Sequence, residues 1–587
     1  MPTRYDAPLA LMRVALAQAA RVSGLSALPD FNELLAELSG TALEGAARVA
    51  RDVLSPLNGV GDATGSRLTP DGVLTPAGFR DAYGLFCEGG WPALAAPAEF
   101  GGQGLPTLFG AAATEMWAGA NLSFAMCIES AVGAVETLRH HAPDGLRASY
   151  LPQLVSGEWT ASMCLTEPQA GSDLSTLRTS ATPEGEHWRL RGRKIFISWG
   201  DHDLSANIVH LVLARAAGAP AGSKGISLFL VPKLQRNGDG SLSANDVRAV
   251  SLEHKMGIRA SPTCVMSFGE REGARGWLIG PLNEGLRCMF TMMNHMRLGV
   301  GLHSTGLAQR AWQLAREYAQ ERLQGRDAAG AQRPIIEHED VRRMLLGMKA
   351  LTHACRCLAY TAAALLDVAS IATDTALRAR AQARLGLLTP LVKAWCSDCA
   401  VEVASLGVQI HGGLGYIDEC EASQIYRDAR IGPIFEGTNY IQAQDLLVRK
   451  IIREDGTAFE ELLVQMEQDA RALDTVAGLA SLSEGLRAEC AELRGSTREL
   501  IRTSGTEAQL ARCVAYPFLQ WLGVVAGAWQ WALTAREAAA TASDPAARAL
   551  LDCARFYAQQ LLPRARAFAR IVANGADPVL APRLGEL

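Results

Sequence analysis

Five short stretches of the chain gather residue types that can do chemistry. Glu436 stands in IFEGTNY, with apolar Ile434 and Phe435 before it and Gly437 after it, where the chain can turn sharply. A carboxylate in apolar company loses hydration, which raises its pKa and strengthens it as a base. CLTEPQAGSD, Cys164 to Asp173, reads as a turn built on Pro168 and Gly171 and crowded with hydroxyls and backbone N–H groups. Such a loop can hydrogen-bond the edge of a planar heterocycle. In KIFISWG, Lys194 to Gly200, Phe196 and Ser198 alternate with Ile197 and are expected on one strand face. That pairs an aromatic surface with a hydroxyl for a ring edge or a phosphate. VQIHGGLG sets Gln409 before a glycine pair that includes Gly413, where backbone can approach a ligand closely. Arg322, in QERLQGR, is suited to bidentate phosphate contact. His411 reads as a packing histidine.

These residues need elements to hold them. Up to about residue 160 the apolar spacing is helical, as in FNELLAELSGTALEGAARVARDVL. From about 161 to 278 short β-rich runs follow, such as HWRLRGRKIFISW and GISLFLVPK, bounded by Gly, Asp, Asn and Pro. They predict an antiparallel sheet or barrel. Helices return to about residue 450 and continue to the end. The expected units are a helical extension over 1–45, an α domain over 46–160 and a β domain over 161–278. A four-helix bundle over 279–450 and a further helical domain over 451–587 complete an α+β assembly.

The bulk numbers fit an enzyme better than a nucleic-acid binder. The chain has 587 residues, 49% hydrophobic and 20% charged, with net charge -5. That size suggests about three or four domains, and the balance argues against nucleic acid as the main partner. Thirteen cysteines without a regular framework read as reduced thiols in a cytoplasmic protein. Cys396 and Cys399 form one C-x-x-C with helical flanks, read as two buried helical cysteines rather than a redox or metal site. Asp6 and Arg13 interrupt the first apolar stretch, so it is expected to be an amphipathic helix on the body rather than a leader. Cys513 to Ala535 holds no charge and is long enough to span a bilayer. Pro517, Gln520 and Gln530 interrupt it, and Gly523, Ala526 and Gly527 suit close helix contact. A buried helix is expected, without integral membrane association. There is no G-x-S-x-G elbow and no H-E-x-x-H, so hydrolase and zinc-protease readings have no support.

CLTEPQAGSD, KIFISWG, VQIHGGLGYIDE and YRDARIGPIFEGTNYIQ, in this order across residues 50 to 450, resemble the acyl-CoA dehydrogenase family. The extra C-terminal block is similar to a long subgroup of it that includes the methylmercaptopropionyl-CoA dehydrogenases. The resemblance implies FAD as cofactor and an acyl-CoA thioester as substrate, converted to the trans-2,3-enoyl-CoA. Glu436 would remove the pro-R proton from Cα while hydride passes from Cβ to flavin N5. Thr166, Phe196, Ser198 and Thr438 would contact the flavin. Gln409, Gly413 and Arg322 would reach a neighbour's FAD across a homodimer. Ser172 and Arg297, the latter in NHMRLGVG, would bind substrate. Some branches place the base just before that arginine; here the position is Met296, which cannot take a proton. Electrons would pass to an electron-transferring flavoprotein. An acyl-CoA oxidase using dioxygen and a non-catalytic scaffold on the same fold remain open alternatives.

Overall fold

The computed structural model describes residues 4–28, 31–504, 509–583 and 585. Helix α1 (Leu9–Ser23) packs on the body, as its amphipathic pattern predicts. Helix α2 (Thr107–His141) starts where Asp367 accepts from Thr107 N (2.7 Å) and Leu108 N (2.9 Å), an N-cap supplied by another helix. It is broken at Asn121, whose backbone is extended and whose Oδ1 accepts from Phe124 N (3.1 Å). Helix α3 (Asp144–Ser156) leads into the sheet.

The sheet has eight strands: β1 (Trp159–Cys164), β2 (Ser180–Glu184), β3 (His187–Ser198), β4 (Asn207–Ala216), β5 (Ile226–Pro232), β6 (Val247–Leu252), β7 (Thr263–Phe268) and β8 (Ala274–Ile279). The order is β6-β7-β3-β8-β5-β4-β1, with β2 against both β3 and β4. Two pairings, β1 with β4 and β2 with β4, are parallel. The sheet is therefore mixed rather than wholly antiparallel. The alternation and turn residues that betray strands do not encode which way a neighbour runs.

Three long helices form the bundle: α4 (Gly285–Glu321), α5 (Glu339–Ile371) and α6 (Thr375–His411). Short helices α7 (Glu421–Ala429) and α8 (Asn439–Gln444) bracket the Glu436 loop. The last block comprises α9 (Thr457–Arg471), α10 (Ala480–Thr503), α11 (Leu510–Ala539), α12 (Pro545–Phe556) and α13 (Arg564–Ala573). One continuous apolar core runs from α1 through the bundle into these helices.

Helix α11 contains the uncharged segment, which is internal. Gly523 and Gly527 lie against Trp395 of α6; a Cβ on Gly523 would come within 2.2 Å of that ring. Trp521, Trp529 and Trp531 are fully buried, each with its N–H satisfied. Gln18 of α1 donates to Gln530 Oε1 (2.8 Å) and accepts from Thr534 (2.8 Å), so the two ends of the chain meet in a buried polar contact. Among the described residues three helices could, by length and composition, cross a membrane: α2, α5 and α11. Most of each apolar window is buried inside the fold, 72% in the case of α11. The sequence pattern singled out α11 alone, because α2 and α5 carry charges that mask their apolar windows.

Candidate active site

The loop between α7 and α8 rests on α4 and α6. Gly432 lies so close that a Cβ there would be 3.0 Å from Ser397 Cβ and 3.3 Å from Ser304 Oγ. Glu436 takes a left-handed backbone (φ 56°), followed by Gly437 (φ 84°). Glycine tolerates this region; glutamate is held there at a cost of about 1–3 kcal/mol unless surrounding contacts fix it. Those contacts are visible. Gln442 Nε2 donates to Glu436 O (3.2 Å), and Lys393 Nζ donates to Gly437 O (2.8 Å). Asn439 N donates back to Pro433 O (3.0 Å), closing the loop. Thr438 is the N-cap of α8, its Oγ1 accepting from Ile441 N (3.4 Å).

Among the described residues no hydrogen-bond donor reaches the Glu436 carboxylate. Burial pushes its pKa up to about 7, only partly offset by the charges of Arg297 and Lys393. Of the two expected apolar neighbours, Ile434 is half exposed and Phe435 is partly buried against the core. Arg297 is 4% exposed; it bonds Asn294 Oδ1 (3.2 Å) and lies 3.6 Å from Asp445. Its Nε has no acceptor among the described residues. Met296 beside it is buried, and the preceding His295 pairs with Glu129 (2.8 Å). A cleft of about 1480 Å³ has Asn294 and Asp445 in its wall; neither Glu436 nor any other residue of its loop lines it.

Lys393 escaped the sequence reading. It is fully buried, bonds Asn439 Oδ1 (2.9 Å) as well as Gly437 O, and burial brings its pKa down to about 7. Its only sequence signal is a lysine inside the apolar run LLTPLVKAW.

A second group gathers on the sheet. Thr166 is half-buried, and its carbonyl accepts from Ile195 N (2.9 Å), tying the CLTEPQAGSD loop to β3. Glu167 and Ala170 exchange backbone hydrogen bonds in a tight turn. The turn is locked by a buried ion pair absent from the sequence reading: Lys194 Nζ donates to Glu167 Oε1 (2.9 Å) and to Leu165 O (2.9 Å). Glu167 also accepts from Thr179 Oγ1 (2.6 Å), Thr179 N (3.0 Å) and Arg178 N (2.8 Å). Burial would raise its pKa, but the Lys194 charge and these bonds hold it down at about 2.

Phe196 and Ser198 both lie away from the barrel core, but not by simple alternation. Lys194 and Ile197, three residues apart, are the buried ones. The register of β3 against β7 shifts between them, and Phe196 has φ 58°. A bulge re-aims the side chains here. The Phe196 ring is left 59% exposed. An open aromatic on a strained, well-anchored backbone, with Thr166 and Ser198 beside it, fits a flat heterocycle. Ser172 is exposed on the same loop.

The third group stands at one end of the bundle. Arg322 caps α4, and Gln409 lies in the last turn of α6. Tyr318 of α4 stacks on His411 of α6 (ring centroids 4.6 Å apart), which brings the two helix ends together. His411 Nδ1 is bonded to Gly407 O (2.7 Å), a packing histidine as expected. Arg322, Gln409 and Gly413 are exposed.

The chain thus combines a helical domain, a β domain and a helical bundle whose α7–α8 loop carries a donor-poor glutamate. Comparison with known proteins makes this specific. Residues 75–158, 162–270 and 283–450 match the N-terminal, middle and C-terminal domains of acyl-CoA dehydrogenases. Residues 460–582 match the domain described as "Acetyl-CoA dehydrogenase C-terminal like". The chain is 41% identical over 592 aligned residues to a 3-methylmercaptopropionyl-CoA dehydrogenase of Ruegeria pomeroyi, covering 99% of this chain and 100% of that protein. It is 38% identical to a butyryl-CoA dehydrogenase of Syntrophomonas wolfei over 71% of each chain. The structure of Caenorhabditis elegans ACDH-11 in complex with C11-CoA superposes with a TM-score of 0.77 at 21% identity, covering 98% of this chain and 97% of that one. The chain belongs to the acyl-CoA dehydrogenase family, in the long form that carries an extra C-terminal helical domain.

Proposed function

We propose that this protein dehydrogenates an acyl-CoA thioester between Cα and Cβ, with Glu436 as the base. The observation that carries the reading is the Glu436 carboxylate, which is free of hydrogen-bond donors and has its pKa raised to about 7. A base with a pKa near the working pH is both available and strong enough to act. Its backbone N–H has no acceptor among the described residues, which supports a second role, donating to the thioester carbonyl as negative charge builds there. Arg297, with a spare buried N–H, binds on the substrate side, as does Ser172. Thr166, Phe196, Ser198 and Thr438 would hold the ring of FAD, which supplies the acceptor for the Cβ hydride.

The exposed trio Arg322, Gln409 and Gly413 supports a homodimer in which a second copy covers that end of the bundle. Thirteen free cysteines support a reducing, cytoplasmic setting. The full-length likeness to the Ruegeria protein makes 3-methylmercaptopropionyl-CoA the first thioester to try. Electrons go on to an electron-transferring flavoprotein. The test is flavin bleaching by a panel of acyl-CoA thioesters, followed by turnover with an artificial acceptor. At least one short acyl-CoA should bleach the yellow protein rapidly without stoichiometric peroxide under air. Failure of every thioester would sink the reading, and peroxide matching turnover would make the protein an oxidase.

A further inference from the structure

The extra C-terminal domain touches the Glu436 loop through a continuous chain of hydrogen bonds. Asp398 lies on α6, five residues after Lys393. Its carboxylate accepts from Tyr516 OH (2.9 Å) and Gln520 Nε2 (2.6 Å), both on α11 of that domain. Its other oxygen accepts from Asn439 Nδ2 (2.9 Å), at the start of α8. Asn439 Oδ1 accepts from Lys393 Nζ (2.9 Å), and Lys393 donates to Gly437 O (2.8 Å), the peptide next to Glu436. Close by, Tyr440 OH donates to Arg512 O (3.3 Å), so α8 is tied to α11 at a second point. The contact of Trp395 with Gly523 and Gly527 sets α6 and α11 close enough for the chain to form.

We infer that the C-terminal domain positions the base: Tyr516 and Gln520 fix Asp398, and Asp398, through Asn439 and Lys393, holds the left-handed turn at Glu436. The inference rests on Glu436 being the base. Tyr516, Gln520 and Asp398 are positioning residues that act through Lys393 and Asn439. A left-handed glutamate does not stay in place unaided; the loop's own backbone bond from Asn439 N to Pro433 O and the bond from Gln442 supply part of the restraint. The remaining restraint comes from α6, and α6 is in turn restrained by α11.

The relay also carries charge. Glu436 faces Arg297 from α4 and Lys393 from α6. Lys393 faces Glu436, Asp398 and Arg297. Arg297 faces Asp445 and Arg449 besides Glu436. Asp398 has its pKa raised by burial, against the bonds from Tyr516, Asn439 and Gln520 and the charge of Lys393. Removing the two α11 donors makes Asp398 harder to ionise. Lys393 then loses its anion and gives up its proton more readily, and Glu436 loses a cation that lowers its pKa. The acid limb of flavin reduction therefore moves to higher pH.

The test compares wild-type holoenzyme with Tyr516→Phe/Gln520→Met, which keeps packing volume but removes both donors. Tyr516→Phe alone, at a partly exposed position, removes one donor with the least disturbance to packing. The double variant should reduce its flavin about tenfold more slowly, within the range that small misplacement of a catalytic group produces. KM and FAD content should be unchanged, the acid limb should shift upward, and amide hydrogen exchange should rise across residues 433–440. The single variant should show the same changes at smaller size. Glu436→Gln is measured in parallel. If Glu436→Gln is dead while the double variant keeps wild-type rate, pH limb and exchange, the relay is overturned. If Glu436→Gln reduces flavin at the wild-type rate, the base assignment falls instead, and exchange at 433–440 still decides whether α11 holds the loop.

Discussion

Glu167 is buried and Glu436 partly buried, both interact with a lysine, and both stand next to a segment expected to face the flavin, yet the fold drives them in opposite directions. Glu167 is saturated: Lys194, two backbone N–H groups and the Thr179 hydroxyl all donate to it, and its pKa is about 2. Glu436 receives no donor among the described residues, its cations act at a distance, and its pKa is about 7. Burial alone would raise both. The count of donors aimed at the carboxylate decides which one is kept as an anion that locks a loop and which one is left with the raised pKa that the proposed base needs.

The largest expected effect on the comparison comes from neutralising each glutamate. Glu436→Gln should lower the rate of flavin reduction by at least the ~10²–10⁴-fold of general-base catalysis, with FAD binding and folding kept, as followed by rapid mixing. Glu167→Gln should do the reverse. It leaves Lys194 buried without its anion and should cost about 3–5 kcal/mol of stability, measured by urea unfolding, with FAD retention falling as the Thr166 loop loosens. If Glu167→Gln proved as stable as wild type, the ion pair would not be the lock.

Next in size is the pH dependence of reduction. The base works as the anion, so the rate should climb as pH rises through about 7 and level off above it. A flat profile from pH 5 to 9 would break the contrast.

The smallest effect is on thermal stability, where the two residues should have opposite signs. Glu436 has a folded pKa above its ordinary value of 4.5, so the unfolded chain ionises first and stability is lost as pH climbs from 4.5 to about 7. Glu436→Gln should therefore raise Tm at pH 8 and change it little at pH 4.5. Glu167 has a folded pKa below 4.5, so its contribution is present above that value and is lost as pH falls toward about 2. Melting curves of the two variants across pH would show whether these signs hold.

Much of this was legible beforehand. IFEGTNY, CLTEPQAGSD and KIFISWG mark their sites because each motif is contiguous, and local types and spacing carry the message. The switch from helical to strand patterning located the sheet, but not its parallel pairings, which depend on partners distant in the chain. The bulge at Phe196 was hidden too, because Lys194 in a strand reads as an outward residue until Glu167 is brought beneath it. Lys393 was passed over for the same reason: a lysine in an apolar helix has no evident partner until Gly437 and Asn439 are folded against it. The bond from the Tyr440 hydroxyl to Arg512 O is likewise set only by folding.

The sequence by itself determined which glutamate stands before a glycine on a short loop, and which loops carry hydroxyls and aromatics. It also determined that an uncharged segment with glycines at helical spacing must be packed closely. Tertiary structure alone decided how strong a base that glutamate is, and what holds it. Hydrogen bonds and local charges act over a few ångströms, and the groups concerned are far apart in the chain; Tyr516 and Asp398 are separated by 118 positions. Only folding sets the distances on which those energies depend.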